Sequence, residues 1–246
     1  MQRYFIEQPF TEGSATLTGD SAKHIAKVMR MTAGDEIIVV SEGVAHVCEI
    51  TAVDQNIDVV QTGRTIASPE MPVRVTIACG LPKGDKLELI TQKGTELGMH
   101  RLVPFKAERS IVKWDDKKGE KKTERLQKIA LEAAEQSHRT HVPVIENPLS
   151  FQQLIAQLNR YDAVFIADEE DAKLATRTTF AEKLRALPSN QELSILCIFG
   201  PEGGIARNES DKLLSAGAQT MSLGPRILRA ETAPLYALSA ISYEFE

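Results

Sequence analysis

Apolar residues in the first seventy positions come in short runs rich in Ile and Val, at residues 3–6, 36–40, 44–50 and 57–61. Runs of that length and composition predict β-strands. Ser41-Glu42-Gly43 predicts a hairpin turn between the middle two. One helix is expected over 21–29, with Asp20 as its cap. The stretch Ser68-Pro69-Glu70-Met71-Pro72 breaks every period and predicts a domain boundary.

Beyond it the pattern alternates between strand and helix. Residues 73–79 predict a buried strand. From Asp85 a helix is expected with Leu87, Ile90, Gly94 and Leu97 on one side. Residues 102–105 predict a short strand, and 123–139 a helix with Leu126, Ile129, Ala130, Ala133 and Ala134 at helical spacing. A further helix is expected over 149–158. Residues 163–167 and 195–199 are continuous apolar runs of the kind that parallel sheets bury on both faces. A helix capped by Asn208 and ended by Gly217 follows, then a short strand over 220–223. Pro234 fits only a first turn, so the last helix starts just before it, with Leu235, Leu238, Ile241 and Phe245 on its apolar side. The alternation predicts an α/β domain over 73–246 behind a small β unit over 1–70.

Composition narrows the function classes. With 246 residues and 42% hydrophobic content, the chain can bury a substantial core. No apolar run reaches the roughly 20 residues of a membrane span, and Met1 to Ile6 lacks the form of a signal peptide. Cys48, Cys79 and Cys197 lie inside apolar runs, which reads as buried thiols in a reducing cytoplasm. Walker, Gly-x-Gly-x-x-Gly, His-Glu-x-x-His and Gly-x-Ser-x-Gly patterns are missing, and no metal site is expected. The net charge of −5 argues against a general polyanion binder, yet residues 101–141 hold eleven Lys/Arg against seven Asp/Glu. A local basic belt on an acidic protein can steer a nucleic acid.

Two irregular stretches carry the chemistry. Gly200-Pro201-Glu202-Gly203-Gly204 directly follows a predicted strand, where glycines let backbone approach a ligand closely. Leu223-Gly224-Pro225-Arg226-Ile227-Leu228-Arg229-Ala230-Glu231-Thr232 follows another and opens the last helix. Strand ends in open α/β sheets are where ligands bind. Trp114 is read as a buried anchor or as a base-stacking residue, and Asp168-Glu169 as a loop at the same edge.

The paired motifs, together with His24 to Gly34, Lys93-Gly94-Thr95-Glu96-Leu97-Gly98, and Glu132 to Ser137 with Arg139, resemble the SPOUT class of methyltransferases. The likeness is greatest to the family of uridine-N3 methyltransferases of 16S ribosomal RNA. It implies a deep C-terminal trefoil knot, an N-terminal PUA-like RNA-binding barrel, S-adenosyl-L-methionine as methyl donor, and a homodimer packed through the knot region. It also implies methylation of one uridine within the assembled 30S subunit. Carried over, Gly200, Pro201, Glu202, Gly203 and Gly204 form one wall of the donor site. Leu223, Gly224, Ile227, Leu228 and Thr232 form the other. Arg229 or Glu231 would assist ionisation of uracil N3, with a helix-start ion pair as their alternative reading. Arg3, Arg30, Lys83, Lys93, Arg109, Lys113 and Arg139 are the RNA-binding cations. Two rivals keep the same loops: an enzyme acting on ribose 2′-oxygen or another base, and an RNA-binding assembly factor with vestigial loops.

Overall fold

The computed structural model describes residues 1–167, 179–188 and 192–246. Asp168 and Glu169 lie outside the described residues. The chain forms two compact units, Met1–Glu70 with Ala134–His141, and Met71–Ala133 with Val142–Glu246.

The first unit is a curved five-stranded sheet ordered β1-β3-β4-β5-β2. Its strands are β1 (Arg3–Phe5), β2 (Ser14–Leu17), β3 (Glu36–Ser41), β4 (Val44–Val53) and β5 (Ile57–Ile66). β3 and β4 pair antiparallel through a turn in which Glu42 and Gly43 both have positive φ. That backbone matches the natural twist of a hairpin. Tyr4, Ile37, Val39, Cys48, Ile50 and Ile57 fill its core. β2 escapes sequence reasoning because Ser-Ala-Thr-Leu buries only Leu17. The expected helix is a short α1 (Gly19–Lys23) running into a π-helix (His24–Met29). Asp20 lies within its first turn, and Thr18 is the capping position.

Inside this unit lies a buried ion cluster. Glu70 accepts from the Arg139 guanidinium and from the backbone N–H groups of Thr140 at 2.8 Å and His141 at 3.1 Å. Arg3 Nη1 donates to the Arg139 carbonyl at 2.9 Å. Arg3 is 3% exposed and Arg139 4%. Both were expected to meet RNA; instead their guanidiniums hold the unit together, because residue 70 supplies a carboxylate that sequence spacing could not place. Burial works to raise the Glu70 pKa, but Arg139, Thr140 and His141 outweigh it and hold the carboxyl below its usual value. A depressed carboxyl stabilises the fold above its unfolded pKa of about 4.3 and loses that contribution as pH falls through the folded value. Glu70→Ala is therefore expected to cost roughly 3 kcal/mol near neutrality by stranding Arg139. The gap from the wild type should narrow in unfolding measured below about pH 4.

The second unit is built on parallel strands ordered β12-β10-β11-β6-β7-β8, with β9 also on β7. These are β6 (Val73–Gly80), β7 (Arg101–Lys106), β8 (Val144–Ile145), β9 (Leu149–Ser150), β10 (Ala163–Ala167), β11 (Leu193–Phe199) and β12 (Gln219–Met221). The central β6 and β11 are buried over nearly every residue and pair in register from Val73–Leu193 to Cys79–Phe199. Helices α2 (Lys86–Glu96), α3 (Asp116–Gln136), α4 (Phe151–Ile155), α5 (Phe180–Arg185), α6 (Arg207–Ser215) and α7 (Thr232–Phe245) complete it. α3 starts seven residues before the predicted position, where Asp115 Oδ1 accepts from the Lys118 N–H at 2.8 Å. The helix expected over 149–158 is only the five-residue α4, followed by a 3-10 turn. α6 begins after Ala206 rather than Asn208, and Glu209 reaches back to the Ala206 N–H at 3.3 Å.

Chain direction places the site. From β10 the chain crosses to β11, then returns past β10 to β12 at the sheet edge. Such a reversal opens a crevice at the carboxyl ends of the strands. From β12 the chain comes back to the middle, where α7 packs on α2, α5, β6 and β11. Leu238 and Ile241 of α7 are fully buried, each contributing about 1.5–3 kcal/mol. Trp114 is 8% exposed within this core, so it is an anchor. Among the described residues, no helix is long and apolar enough to cross a membrane.

Candidate functional site

A cavity of about 870 Å³ opens at the carboxyl edge of the second unit's sheet. That is the upper range for a site that encloses a small organic ligand. Ala167, Phe199 and Met221, the last residues of β10, β11 and β12, line its floor. The loop Gly200 to Ile205 forms one wall, and Leu223 to Ala230 the other. The two glycine-bearing stretches singled out in the sequence thus meet across one space.

The first wall is backbone folded on itself. Gly204 N–H donates to the Pro201 carbonyl at 2.8 Å, closing a tight turn with Gly204 at φ +71°. A Cβ on Gly200 would stand 2.4 Å from the Gly204 carbonyl carbon and 2.6 Å from the Ile205 nitrogen. No side chain fits there. Gly80 at the end of β6 is bound by the same packing, since its Cβ would meet Pro201 Cδ at 2.6 Å. Sequence reasoning passed over Gly80, because its constraint comes from a residue 121 positions away. Gly203 is less confined; its Cβ would meet Arg109 Cβ at 3.2 Å.

The second wall is looser and more exposed. Gly224 has φ +93°, which lets the chain turn out of β12. Leu223 is buried and Leu228 half-buried against the core, whereas Ile227 is 78% exposed at the cavity's edge. Thr232 is exposed as the first residue of α7 and does not line the cavity. The residues lining the wall end at Ala230 and Ala233, on either side of it, where the helix turns away.

Charge around the cavity is lopsided. Lys86, Arg109, Arg207, Arg226 and Arg229 line it, against Glu202 as the single lining carboxylate among the described residues. A concave site lined mainly by one sign of charge focuses its field and attracts anions. Arg207 and Arg226 were not singled out from sequence, being ordinary arginines until the fold gathers them. Arg109 Nη1 donates to the Gly203 carbonyl at 2.9 Å, so this expected RNA cation also braces the wall. Its own loop is held by buried Glu209, which accepts from the Glu108 N–H at 2.9 Å. Lys83, Lys113 and Arg30 are exposed, and Arg30 adopts the left-handed conformation at φ 54°. Lys93 is engaged by Glu96 at 2.7 Å, an ion pair along its own helix.

Acidic groups at the rim are paired. Lys86 Nζ lies 3.0 Å from Glu202 Oε1 and 3.2 Å from Glu231 Oε2. Burial alone would raise the Glu202 pKa; the Lys83 N–H at 3.0 Å and Lys86 overcome it and keep the carboxyl below its ordinary value. Glu231 does not itself line the cavity. The helix-start ion pair offered as the alternative reading of Arg229 and Glu231 takes another form: Glu231 pairs with Lys86. Burial pushes the thiols of Cys48 and Cys79 up to about 11 and about 12, so neither is poised as a nucleophile. No cluster of three or more metal-ligating side chains occurs among the described residues.

Comparison with known proteins agrees with this geometry. A family profile described as an RNA methyltransferase domain matches residues 69–242, and one described as an RNA methyltransferase PUA domain matches residues 17–60. Ribosomal RNA small subunit methyltransferase E of Bacillus subtilis is 48% identical over 252 aligned positions, covering 100% of this chain and 98% of its own. The protein of the same name from Synechocystis is 34% identical over 94% of this chain and 73% of its own. Among solved structures, ribosomal RNA small subunit methyltransferase E from Neisseria gonorrhoeae, bound to S-adenosyl methionine, superposes with a TM-score of 0.83 at 25% identity. That match covers 98% of this chain and 96% of the other. With likeness of that extent in both units, the chain belongs to the ribosomal RNA small subunit methyltransferase E family.

Proposed function

We propose that the protein transfers a methyl group from S-adenosylmethionine to N3 of one uridine in 16S ribosomal RNA of the 30S subunit. The carrying observation is the 870 Å³ cavity walled by the Gly200 and Gly224 loops, with arginines at its mouth. The residues fit the donor. Gly200 leaves main chain where any side chain would collide, and the N–H and C=O groups of such a loop can read the polar edge of an adenine. Leu223 and Leu228 offer apolar contact to its face.

Bound there, S-adenosylmethionine supplies a methyl group already activated by its sulfonium. The protein's task is then to align N3 for in-line displacement of the neutral thioether, with the N3 proton passing to water. Arg229 lines the cavity with an exposed guanidinium, suited to stabilising a uracil anion as its proton leaves. Glu231, held against Lys86, serves position rather than proton transfer. Arg109, Arg207 and Arg226, with Lys83, Lys113 and Arg30 as outlying cations, would hold phosphates. Arg226→Gln with Arg207→Gln is expected to flatten the salt dependence of RNA binding by about 1.4 in logarithmic slope, two phosphates at about 0.7 each. An unchanged slope would put the RNA elsewhere.

The return of the chain from edge strand β12 to α7 under the sheet centre supports a trefoil knot around this site. Exposed Tyr236 and Tyr243 on α7 support a homodimer through the same region, and the PUA-domain match over residues 17–60 supports an RNA-binding role for the first unit. The test is incubation of unmodified small subunits with labelled methyl donor, followed by mass spectrometry of the nucleosides. N3-methyluridine is the predicted product; a 2′-O-methylated nucleoside or another base would select the rival chemistry. No incorporation with no donor binding would select an RNA-binding factor.

A further inference from the structure

Lys86 sits where a lysine is least welcome. It is the first residue of α2, at the positive end of an 11-residue helix. A cation there is opposed by the helix dipole. Local preference broken in this way points to a gain made elsewhere. The gain is visible: its ammonium meets two carboxylates that no other feature brings together. Glu202 belongs to the loop after β11, and Glu231 to the residue before α7. Glu202 also accepts from the Lys83 N–H, which ties in the loop after β6. Side-chain exposures are 27% for Lys86, 31% for Glu202 and 15% for Glu231, so the cluster is partly desolvated rather than a solvated surface pair. Without the ammonium, two carboxylates would face each other across the cavity's rim.

We propose that Lys86 is the positioning residue that locks the two cavity loops together: one charge fixes the Gly200 loop and the Gly224 loop to the first turn of α2. Loop spacing, and so the fit of the methyl donor, depends on that charge. The donor rests on the reading above; the lock itself does not. Lys86 also lines the cavity, so the lock stands at its edge.

The experiment compares hydrogen exchange of the ligand-free wild type, Lys86→Met, Lys86→Arg and the double variant Lys86→Met with Glu231→Gln. Lys86→Met keeps the aliphatic stem and removes the charge. It should raise exchange in both loops by at least about tenfold, while the β6 and β11 amides stay protected. Lys86→Arg should restore protection, and Glu231→Gln should restore part of it in the Met background by removing a carboxylate left without its cation. Donor affinity by calorimetry should follow the same order. Unchanged loop exchange in Lys86→Met, or equal loss in Lys86→Met and Lys86→Arg, would overturn the lock. A wild type that shows the exchange pattern but binds no S-adenosylmethionine would instead remove the donor assignment and leave the lock standing.

Discussion

Gly200→Ala is expected to abolish binding of the methyl donor, with affinity falling by a factor of about 100 or more. The added methyl would stand 2.4 Å from one backbone carbon and 2.6 Å from a backbone nitrogen, and neither can swing aside as a side chain would. The turn must open, carrying the Gly204 N–H away from the Pro201 carbonyl. Gly203→Ala is the informative control. The nearest atoms to its methyl are Arg109 Cβ at 3.2 Å and Arg109 Cδ and backbone oxygen at 3.6 Å. It should cost at most about tenfold, because a 3.2 Å contact asks the neighbouring carbon to give by only a few tenths of an ångström. Calorimetric titration of both variants checks the order, and thermal unfolding checks that the core is intact. Equal affinities for Gly200→Ala and the wild type would remove the first loop from the donor site.

The second large effect falls on turnover. Arg229→Ala should lower kcat about 100-fold while leaving donor affinity within about threefold. The reasoning is electrostatic. Uracil N3 carries a proton in its resting form, and negative charge develops on the base as that proton leaves. A guanidinium at the cavity mouth stabilises the developing charge more than the neutral base, which makes its effect a rate effect. Single-turnover kinetics with saturating donor separates the two quantities. Equal loss in rate and donor affinity would make Arg229 part of the wall rather than of the chemistry.

What the sequence disclosed follows from how locally each feature is encoded. The parallel strands were legible because Ile, Val, Phe and Cys at 163–167 and 195–199 form unbroken apolar runs. The last helix was legible because Pro234 can occupy only its first turn. α5 was missed, although Thr179 and Glu182 form a capping box; six residues are too few to show a period. α3 was started late because Asp116-Lys117-Lys118 carries no apolar stripe. The glycine loops were found by their spacing, but their mutual approach depends on the return of β12 beside β10, which no local pattern contains.

Cations show the same boundary more sharply. Arg3, Arg139, Lys86 and Arg226 carry no local mark in the sequence that tells their roles apart. Tertiary partners separate them: Arg3 and Arg139 enter a buried cluster around Glu70, Lys86 joins two loops, and Arg226 stays exposed at the cavity. A carboxylate placed by the fold decides for Arg139 and for Lys86, and Glu70, Glu202 and Glu231 are remote in sequence from the cations they hold.

The central claim is that main-chain atoms of two loops at the carboxyl edge of the sheet grip the methyl donor. Titration of isotope-labelled protein with S-adenosylmethionine, read as backbone amide shifts, tests it most directly. The largest shifts are expected within residues 200–205 and 223–230, with residues 1–70 nearly unmoved. Saturable binding that leaves both loops unshifted and perturbs another surface would contradict it.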